Sequence, residues 1–298
     1  MLRSLVAVLL APALLPGPIR PTGGAALPPA QRQTLALQAQ LGRAHFSPGE
    51  IDARGGSNTR AAQAAFQAAF AGSEPAPDTA PPTVVYTITE ADVAGPYVTV
   101  PEDLMEQSKL PAMSYASMLE ALGERFHASP ALLQALNPSA AFVAGEPIEV
   151  PNVTRAPLAG TPASIIVDKS DRAVIVQDAA GRTLARYPAS MGSEHDPLPV
   201  GQWTITGATK EPPVFHYNPD LFWDADESHS RATIPAGPNN PVGLVWIDLS
   251  KEHYGIHGTP RPENVGKTQS HGCVRLTNWD ALELGGLVKA GMPAVLQE

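Results

Sequence analysis

The stretch Ser270-His271-Gly272-Cys273-Val274-Arg275, with His257-Gly258 upstream of it, decides how this chain is interpreted. Cys273 is the only cysteine in 298 residues. The segment between His257 and Cys273 is long enough to fold back and bring an imidazole to the sulfur. Because an imidazole can deprotonate a thiol near neutral pH, this combination is typical of a nucleophilic cysteine.

The neighbours of Cys273 fit the same chemistry. Gly272 would let a substrate carbonyl approach closely, and the amides of Gly272 and Cys273 are candidate donors to an oxyanion. Arg275 is a candidate to hold a carboxylate through paired hydrogen bonds. The apolar run Val245–Leu249 predicts a buried strand upstream, and a helix is predicted from Asn278 to Ala290. The cysteine should therefore lie on a loop between two scaffold elements.

Two other interpretations of Cys273 remain open at this point. A free cysteine is often a small buried hydrophobic residue. In an exported chain, however, a lone cysteine cannot form an internal disulfide, which favours a chemical role. The second alternative is a zinc site built from His253, His257, His271 and Cys273. The first two of these flank a predicted strand, where residues four apart are poorly placed to share one ion.

The composition indicates an acidic globular chain with many turns. Hydrophobic residues make up 43% and charged residues 16%, with 32 prolines and 25 glycines. Two or three domains are expected at this length. The net charge of −9 argues against binding to nucleic acid or to an anionic membrane.

Residues 1–26 have the pattern of a secretory signal peptide. A basic start at Met1-Leu2-Arg3 precedes an apolar run from Leu5 to Leu15, which is too short to cross a bilayer. Small residues from Gly23 to Ala26 offer a cleavage site, and an uncleaved anchor is the alternative. No later segment is apolar and long enough to span a membrane, so we expect an exported protein with no membrane-spanning domain in the mature chain.

The motif from His257 to Arg275 resembles the signature of the L,D-transpeptidases, the enzymes with a YkuD-type catalytic domain. That signature is a histidine, a loop of about this length and then [ST]-H-G-C-x-[RN]. The segment Pro199–Thr206 also resembles a strand of that family. The resemblance implies that Cys273 is the nucleophile and that His257 accepts and returns its proton. It implies no metal and no organic cofactor.

The same resemblance implies roles for the rest of the motif. The Gly258 carbonyl would orient the imidazole, His271 would line the substrate pocket, and Ser270 would support the loop. Because the two histidines are easily exchanged in such an assignment, His271 remains a candidate for the base. The predicted catalytic residues are Cys273, His257, His271 and Gly272, and the predicted substrate-binding residues are Arg275, Ser270 and Gly258.

Two regions upstream resemble modules that bind the bacterial cell wall. Residues 28–71 resemble the three-helix peptidoglycan-binding domain through Ser47–Asp52, Asn58–Ala62 and Phe66-Gln67. Asn58 or Thr59 is expected to cap the second helix. Residues 84–152 resemble a LysM module, which binds glycans containing N-acetylglucosamine. In that module the first strand usually lies close to the first helix, whereas here an irregular segment, residues 90–113, separates them.

The predicted fold class is therefore a multidomain protein with a mainly β catalytic domain. We expect a signal peptide (1–26), a small three-helix domain (28–71), a proline-rich linker (72–83), a small α+β LysM-like domain (84–152) and an L,D-transpeptidase-like β-sandwich with a C-terminal helix (163–298). The aromatic stretch Phe215–Trp223 is expected to form a surface loop over the site.

By the resemblance, the expected function is that of an exported peptidoglycan L,D-transpeptidase of the periplasm or cell wall. Its partners would be stem peptides and glycan strands of peptidoglycan, and carbapenems would be expected to acylate Cys273. An L,D-carboxypeptidase and a lipoprotein-attaching transpeptidase would use the same thioester. A non-catalytic peptidoglycan-binding protein is the alternative from another class.

Overall fold

The structure is a computed structural model that describes residues 27–71, 78–209 and 211–298. The predicted signal peptide and residues 72–77 of the proline-rich linker lie outside the described residues. The α-helices are α1 (Pro29–Arg43), α2 (Ser57–Ala69), α3 (Glu90–Ala94), α4 (Leu104–Gln107), α5 (Met118–Arg125), α6 (Pro130–Leu136) and α7 (Asn278–Leu287). The strands are β1 (Thr83–Thr87), β2 (Pro147–Pro151), β3 (Ser164–Asp168), β4 (Ala173–Gln177), β5 (Thr183–Pro188), β6 (Ser190–Met191), β7 (Gly201–Ala208), β8 (Phe215–Tyr217), β9 (Ala232–Ile234), β10 (Trp246–Leu249), β11 (Gly255–His257), β12 (Val274–Arg275) and β13 (Pro293–Gln297).

The C-terminal region is built on one nine-stranded sheet. Its strand order is β5-β4-β3-β13-β7-β10-β11-β12-β6. Strand β7 joins the two halves, because its first residues pair with β13 and its last residues pair with β10. The predicted mainly β architecture is confirmed. Because β7 is long enough to pair with both halves, the two layers of the predicted β-sandwich are parts of one continuous sheet.

The two halves of the sheet share a core. Ile165, Val174 and Val176 from one half and Ile247 and Ile256 from the other belong to the same cluster of buried side chains. Helix α7 adds Leu284 to that cluster. Alternating apolar residues on these strands thus bury one face of each half and leave the other face to carry the site.

Helix α7 begins as predicted and ends earlier. The Thr277 side chain caps it by accepting a hydrogen bond from the amide of Asp280. The helix ends at Leu287 rather than near Ala290, because Val288 is already extended and the chain turns toward β13. Gly291 lies in that turn with φ +84° rather than ending the helix.

Residues 28–71 contain two helices, not the three that the resemblance implied. Between α1 and α2 the chain runs through turns and bends and pairs with other parts of the chain at two isolated bridges. Phe46 bridges to Arg186 on β5, and Ile51 bridges to Ala128. These two bridges lie in the connection between α1 and α2, and no third helix forms in residues 28–71. The predicted cap of α2 is also wrong, because Gly56 precedes the helix without a side-chain cap and Asn58 instead donates to the Val265 carbonyl.

Residues 83–151 form a strand–helix–helix–strand unit. Strands β1 and β2 pair antiparallel, and α5 and α6 lie between them in sequence. The segment predicted to be irregular contains two short helices, α3 and α4. Each starts at a side-chain cap, Thr89 for α3 and Asp103 for α4, a local signal that the apolar pattern does not show. This unit will be called the middle module.

The helical unit and the middle module pack directly on the catalytic region. Ser47 donates a hydrogen bond of 2.6 Å to Asp280, and Arg155 pairs with the same carboxylate at 3.0 Å. Asp280 has no exposed surface. Asp280 lies in the first turn of α7, where a negative charge is favourable. Its carboxylate also binds these two partners from outside the catalytic sheet. Within the described ranges, no helix is both long and apolar enough to cross a membrane.

Candidate active site

The site lies where two parallel strands run side by side. Strands β11 and β12 pair so that Ile256 faces Val274 and His257 faces Arg275. Ile256 and Val274 point into the core. Because side chains alternate along a strand, His257 and Arg275 lie on the opposite face, and Cys273 precedes β12 with the same alternation as Arg275. The register therefore brings three predicted site residues to one face of the sheet.

His257 is held in one orientation. Its ring is only 4% exposed and stacks on Trp246, with centroids 5.4 Å apart. Its Nδ1 lies 2.7 Å from the Gly258 carbonyl oxygen. A carbonyl can only accept, so Nδ1 carries the hydrogen and Nε2 is left as the acceptor. Gly258 thus occupies the orienting position that was predicted for it.

Burial keeps His257 neutral. Burial and, after it, the positive charge of Arg275 lower the pKa of His257 to about 4, against the opposing effect of the Gly258 hydrogen bond. At neutral pH the imidazole is therefore uncharged and free to accept a proton.

Cys273 is partly exposed, and its Sγ lies 3.8 Å from the His253 carbonyl oxygen. Its largely apolar surroundings raise the pKa of the Cys273 thiol, while a hydrogen bond from the Gly255 backbone and the charge of Arg275 lower it. A neutral thiol and a neutral imidazole therefore coexist in the resting site. This arrangement suits general-base activation during attack better than a preformed ion pair.

The loop before Cys273 is fixed by its own side chains. Ser270 is 4% exposed, and its Oγ donates a hydrogen bond of 2.5 Å to the Cys273 carbonyl. Gly272 has φ +92°, and a Cβ there would lie 2.7 Å from Cε1 of Tyr254. A larger residue would be strained and would collide with that ring. Ser270 thus has the loop-supporting contact that was predicted.

Arg275 lines a cavity of about 240 Å³ beside these residues. Ser190, Thr259, Asn264 and a second cation, Arg261, also line it. Burial lowers the pKa of Arg275, and its neighbours Cys273 and Asp224 raise it. Arginine stays charged in proteins, so this cavity presents fixed positive charge next to Cys273.

His271 has a different environment from His257. Its Nε2 lies 2.8 Å from Oδ1 of Asp224, and its ring contacts Phe222 with centroids 5.1 Å apart. Trp223 lies at the same edge and stacks on His195 at 4.2 Å. The predicted aromatic loop does cover the site, as the segment 215–234 that we call the aromatic hairpin. The contacts with Asp224 and Phe222 fix the His271 ring in the wall of the site.

The sequence motif did not reveal two residues of this site. Asp224 follows the aromatic stretch, and Tyr254 precedes β11, but neither belongs to a recognisable pattern. The zinc alternative lacks a geometric basis in the described part of the chain, where no three His, Cys, Asp or Glu side chains are grouped to hold a metal ion. His253 instead lies exposed beside Glu252.

Comparisons with known proteins agree with the motif. Residues 162–296 match the family model of the YkuD L,D-transpeptidase catalytic domain. The Bacillus subtilis protein named "Putative L,D-transpeptidase YkuD" is 29% identical over 175 residues, covering 58% of this chain and 89% of that protein. The Escherichia coli protein named "Probable L,D-transpeptidase ErfK/SrfK" is 33% identical over 142 residues, covering 44% of this chain and 46% of that protein.

A solved structure, the L,D-transpeptidase from Mycobacterium smegmatis, aligns at 22% identity with a TM-score of 0.37. That alignment covers 52% of this chain and 64% of the solved chain. The chain thus spans less than two thirds of this protein and of ErfK/SrfK, and most of the Bacillus subtilis protein. The sequence matches carry the assignment: residues 162–296 form a YkuD-type L,D-transpeptidase catalytic domain, and this chain is similar to L,D-transpeptidases through that domain.

Proposed function

We propose that this protein is an exported peptidoglycan L,D-transpeptidase that acts through a thioester on Cys273. The observation that carries the proposal is the shared face of β11 and β12, where Cys273 lies beside a buried, oriented and neutral His257. The substrate would be the tetrapeptide stem of peptidoglycan, attacked at the carbonyl of its diaminopimelic residue.

The first half-reaction forms the thioester and releases D-alanine. Sγ of Cys273 bonds to the substrate carbonyl carbon while Nε2 of His257 takes the thiol proton. The oxyanion that forms is stabilised by backbone amides at Gly272 and Cys273. Its collapse breaks the bond to D-alanine, and His257 returns the proton to the departing amine. A thioester remains on Cys273.

In the second half-reaction an amine from another stem attacks the thioester. His257 accepts the amine's proton and returns it to the departing sulfur, and the product is a 3→3 cross-link. Water as acceptor would make the protein an L,D-carboxypeptidase, and a protein lysine would attach a lipoprotein. The cavity lined by Arg275 and Arg261 supplies positive charge that could bind a stem carboxylate during either half-reaction.

The parts outside the catalytic region complete the proposal. Residues 28–71 and the middle module would bind peptidoglycan, the second through its LysM-like strand–helix–helix–strand order. The pattern of residues 1–26 would direct export to the periplasm or cell wall. A non-catalytic wall-binding protein is the competing function, and the intact set of Cys273, His257, Gly272 and Arg275 favours the enzyme.

The test is intact-protein mass spectrometry after incubation with a carbapenem. Wild-type protein should gain the mass of the inhibitor, and Cys273→Ala should not, because the only thiol has been removed. Absence of an adduct on reduced, folded wild type would count against the nucleophile assignment.

A second assay, with disaccharide tetrapeptide as substrate, separates the acceptors. A cross-linked dimer with loss of D-alanine indicates transpeptidation. A tripeptide monomer indicates hydrolysis. Binding to intact cell walls without either product would favour the non-catalytic alternative.

A further inference from the structure

A segment of the middle module reaches across to the aromatic hairpin. Residues 103–114, here called the brace segment, include α4 and lie between the first strand and the first long helix of that module. The LysM resemblance does not account for such an insertion. In the structure, it contacts the hairpin that covers the active site and also residues 236–239, which directly follow that hairpin.

One contact joins the two segments through a histidine that is mostly shielded from solvent and an aspartate whose side chain is half exposed. His229 of the hairpin is 12% exposed in its side chain, and its Nε2 lies 3.0 Å from Oδ2 of Asp103. Its Nδ1 lies 3.1 Å from the Tyr217 hydroxyl. The neutral imidazole satisfies both partners by donating from Nε2 to the carboxylate and accepting at Nδ1 from the phenol.

A second set of contacts anchors the other end of the brace segment. The Met113 amide donates to the Ala236 carbonyl at 3.0 Å, and the Asn239 amide donates to the Met113 carbonyl at 2.9 Å. The Asn239 side chain also donates to the Ser114 carbonyl at 2.9 Å. A Cβ on Gly237 would lie 2.3 Å from the Met113 carbonyl oxygen, so the two backbones approach too closely for a larger residue. The brace segment is therefore docked and not merely adjacent.

The inner side of the hairpin contacts the active-site loop. Tyr217 packs on Phe222, with centroids 5.5 Å apart, and Phe222 contacts the His271 ring at 5.1 Å. Asp224 holds Nε2 of His271. A continuous series of direct contacts thus runs from Asp103, through His229, Tyr217 and Phe222, to His271, two residues before the nucleophile.

The hairpin has little to stabilise it by itself. Strands β8 and β9 are three residues each, and a two-stranded hairpin of that size is marginal in water. Its internal ion pair joins Arg231 and Asp220, whose side chains are each about 70% exposed. Ion pairs this exposed contribute little to the free energy of folding. The hairpin therefore depends on contacts with its neighbours for its position, and the brace segment supplies contacts that the active-site loop does not.

We propose that the brace segment positions the aromatic hairpin over the active site, with Asp103 and His229 as positioning residues for stem-peptide binding. The inference rests on the proposed function for its substrate and goes beyond it in tying the middle module to the catalytic wall. Without the brace contacts the hairpin would move away from His271. Peptide binding would weaken, whereas the intrinsic reactivity of the thiol would not change.

The experiment uses the full chain and measures KM and kcat with a tetrapeptide stem. We expect Asp103→Ala and His229→Asn each to raise KM by about tenfold, the usual effect of losing a hydrogen bond to a charged group, with kcat within about twofold. The KM of the double variant should be no higher than that of the more affected single variant, because both changes break the same contact. His229→Gln should retain most of the affinity, since its amide nitrogen can reach the place of Nε2.

The matched control is Arg231→Ala, which lies on the same hairpin but pairs only within it among the described contacts. It should leave KM unchanged. Alkylation of Cys273 by iodoacetamide should proceed at the wild-type rate in every variant. Hydrogen exchange in residues 215–234 should rise in Asp103→Ala and not in Arg231→Ala, a readout that does not depend on turnover.

An unchanged KM together with unchanged hydrogen exchange in Asp103→Ala would overturn the inference. A KM in the double variant that equals the product of the two single effects would also overturn it, because the two residues would then act independently. If Asp103→Ala fails to fold, Asp103→Asn replaces it, because its remaining oxygen can still cap α4 at Glu106. A wild type that neither turns over the stem nor forms a carbapenem adduct would defeat the proposed function instead, while the exchange result would still decide the position of the hairpin.

Discussion

At the scale of single residues, the site is defined by the His257 imidazole and the Cys273 thiol, both of which are held in their uncharged forms. His257 is buried against Trp246 and oriented by Gly258, and Cys273 lies in surroundings that disfavour the thiolate. The positive charge of Arg275 acts on both, favouring neutral imidazole and, more weakly, the thiolate. Catalysis therefore depends on a proton transfer that accompanies attack rather than on a standing ion pair.

The pH dependence of acylation should reveal the state of His257. Its pKa is lowered to about 4, so the imidazole stays neutral as pH falls through the ordinary histidine value of 6.5. The rate of carbapenem acylation should hold to about pH 5.5 and fall only as pH approaches 4, where the base becomes protonated. Stopped-flow measurement would test this, with circular dichroism at each pH as the control for folding. An acidic limb centred near pH 6.5 would contradict it.

The two histidines should differ in their effect on the chemical step. His257→Ala should slow thioester formation by a factor on the order of 10² to 10⁴, the usual loss for a missing general base. His271→Ala should mainly raise KM, because Asp224 and Phe222 hold that ring at the wall of the site. Single-turnover kinetics with a tetrapeptide stem separate the two effects. A larger loss of the chemical step in His271→Ala would reverse the assignment.

At the scale of elements, the start of α7 holds the backbone around His257. Asn278 is fully buried, and its Oδ1 accepts a hydrogen bond from the Leu244 amide. The same oxygen would lie 2.2 Å from a Cβ on Gly258 and 2.0 Å from a Cβ on Gly243. Glycine at both places lets the helix terminus press against the turn whose carbonyl orients the catalytic imidazole.

Gly258→Ala should therefore damage the site without unfolding the sheet. The added methyl group would push Asn278 away and shift the Gly258 carbonyl from Nδ1 of His257, so we expect at least a tenfold slower acylation, in line with the sensitivity of catalysis to small displacements. Gly207→Ala on β7 is the matched control, because a Cβ there would meet nothing within 4 Å. Equal acylation rates in the two variants would exclude this role for Gly258.

Sequence reasoning located the elements whose pattern is local and missed those set by tertiary contacts. The strands of the catalytic sheet and the Thr277 cap follow from alternation and from a capping side chain, both visible in the sequence. The extended pairing of Phe46 with β5, the absence of a third helix and the brace segment depend on partners far along the chain. Cys273, His257 and Arg275 were predicted from a motif, whereas Asp224 and Tyr254 reach the site only through folding.

At the scale of the whole molecule, the modules meet the catalytic region through buried polar groups. Glu124 of α5 accepts a hydrogen bond of 3.1 Å from Asn278 on α7. Burial raises the pKa of Glu124 to about 8, and the nearby charges of Glu120, Glu50 and Asp280 raise it further, against the Asn278 hydrogen bond. Burial, followed by the charges of Glu263 and Asp52, raises the pKa of Glu50 to about 7, against the charge of Lys267. This interface is more favourable when these carboxyls hold their protons.

The contribution of Glu124 to the stability of the folded chain should consequently fall as pH rises. The folded state keeps the Glu124 proton that the unfolded state releases near pH 4.5, so this contribution is complete below that value and is lost as pH rises to about 8. Glu124→Gln should raise Tm at pH 8 by about 2–5 °C and change it little at pH 5. Calorimetry at both pH values tests this, with Glu90→Gln, an exposed site, as the control. An equal shift at both pH values would show that packing, not protonation, causes the change.

The hydrogen bond between Ser47 and Asp280 has a consequence for the order of assembly. Its two residues are 233 positions apart, so Ser47 can complete this contact only after α7, the last described helix, has been made. Contacts between residues so distant in sequence are slow to form. Docking of the helical unit on the catalytic region is therefore expected among the late steps of folding.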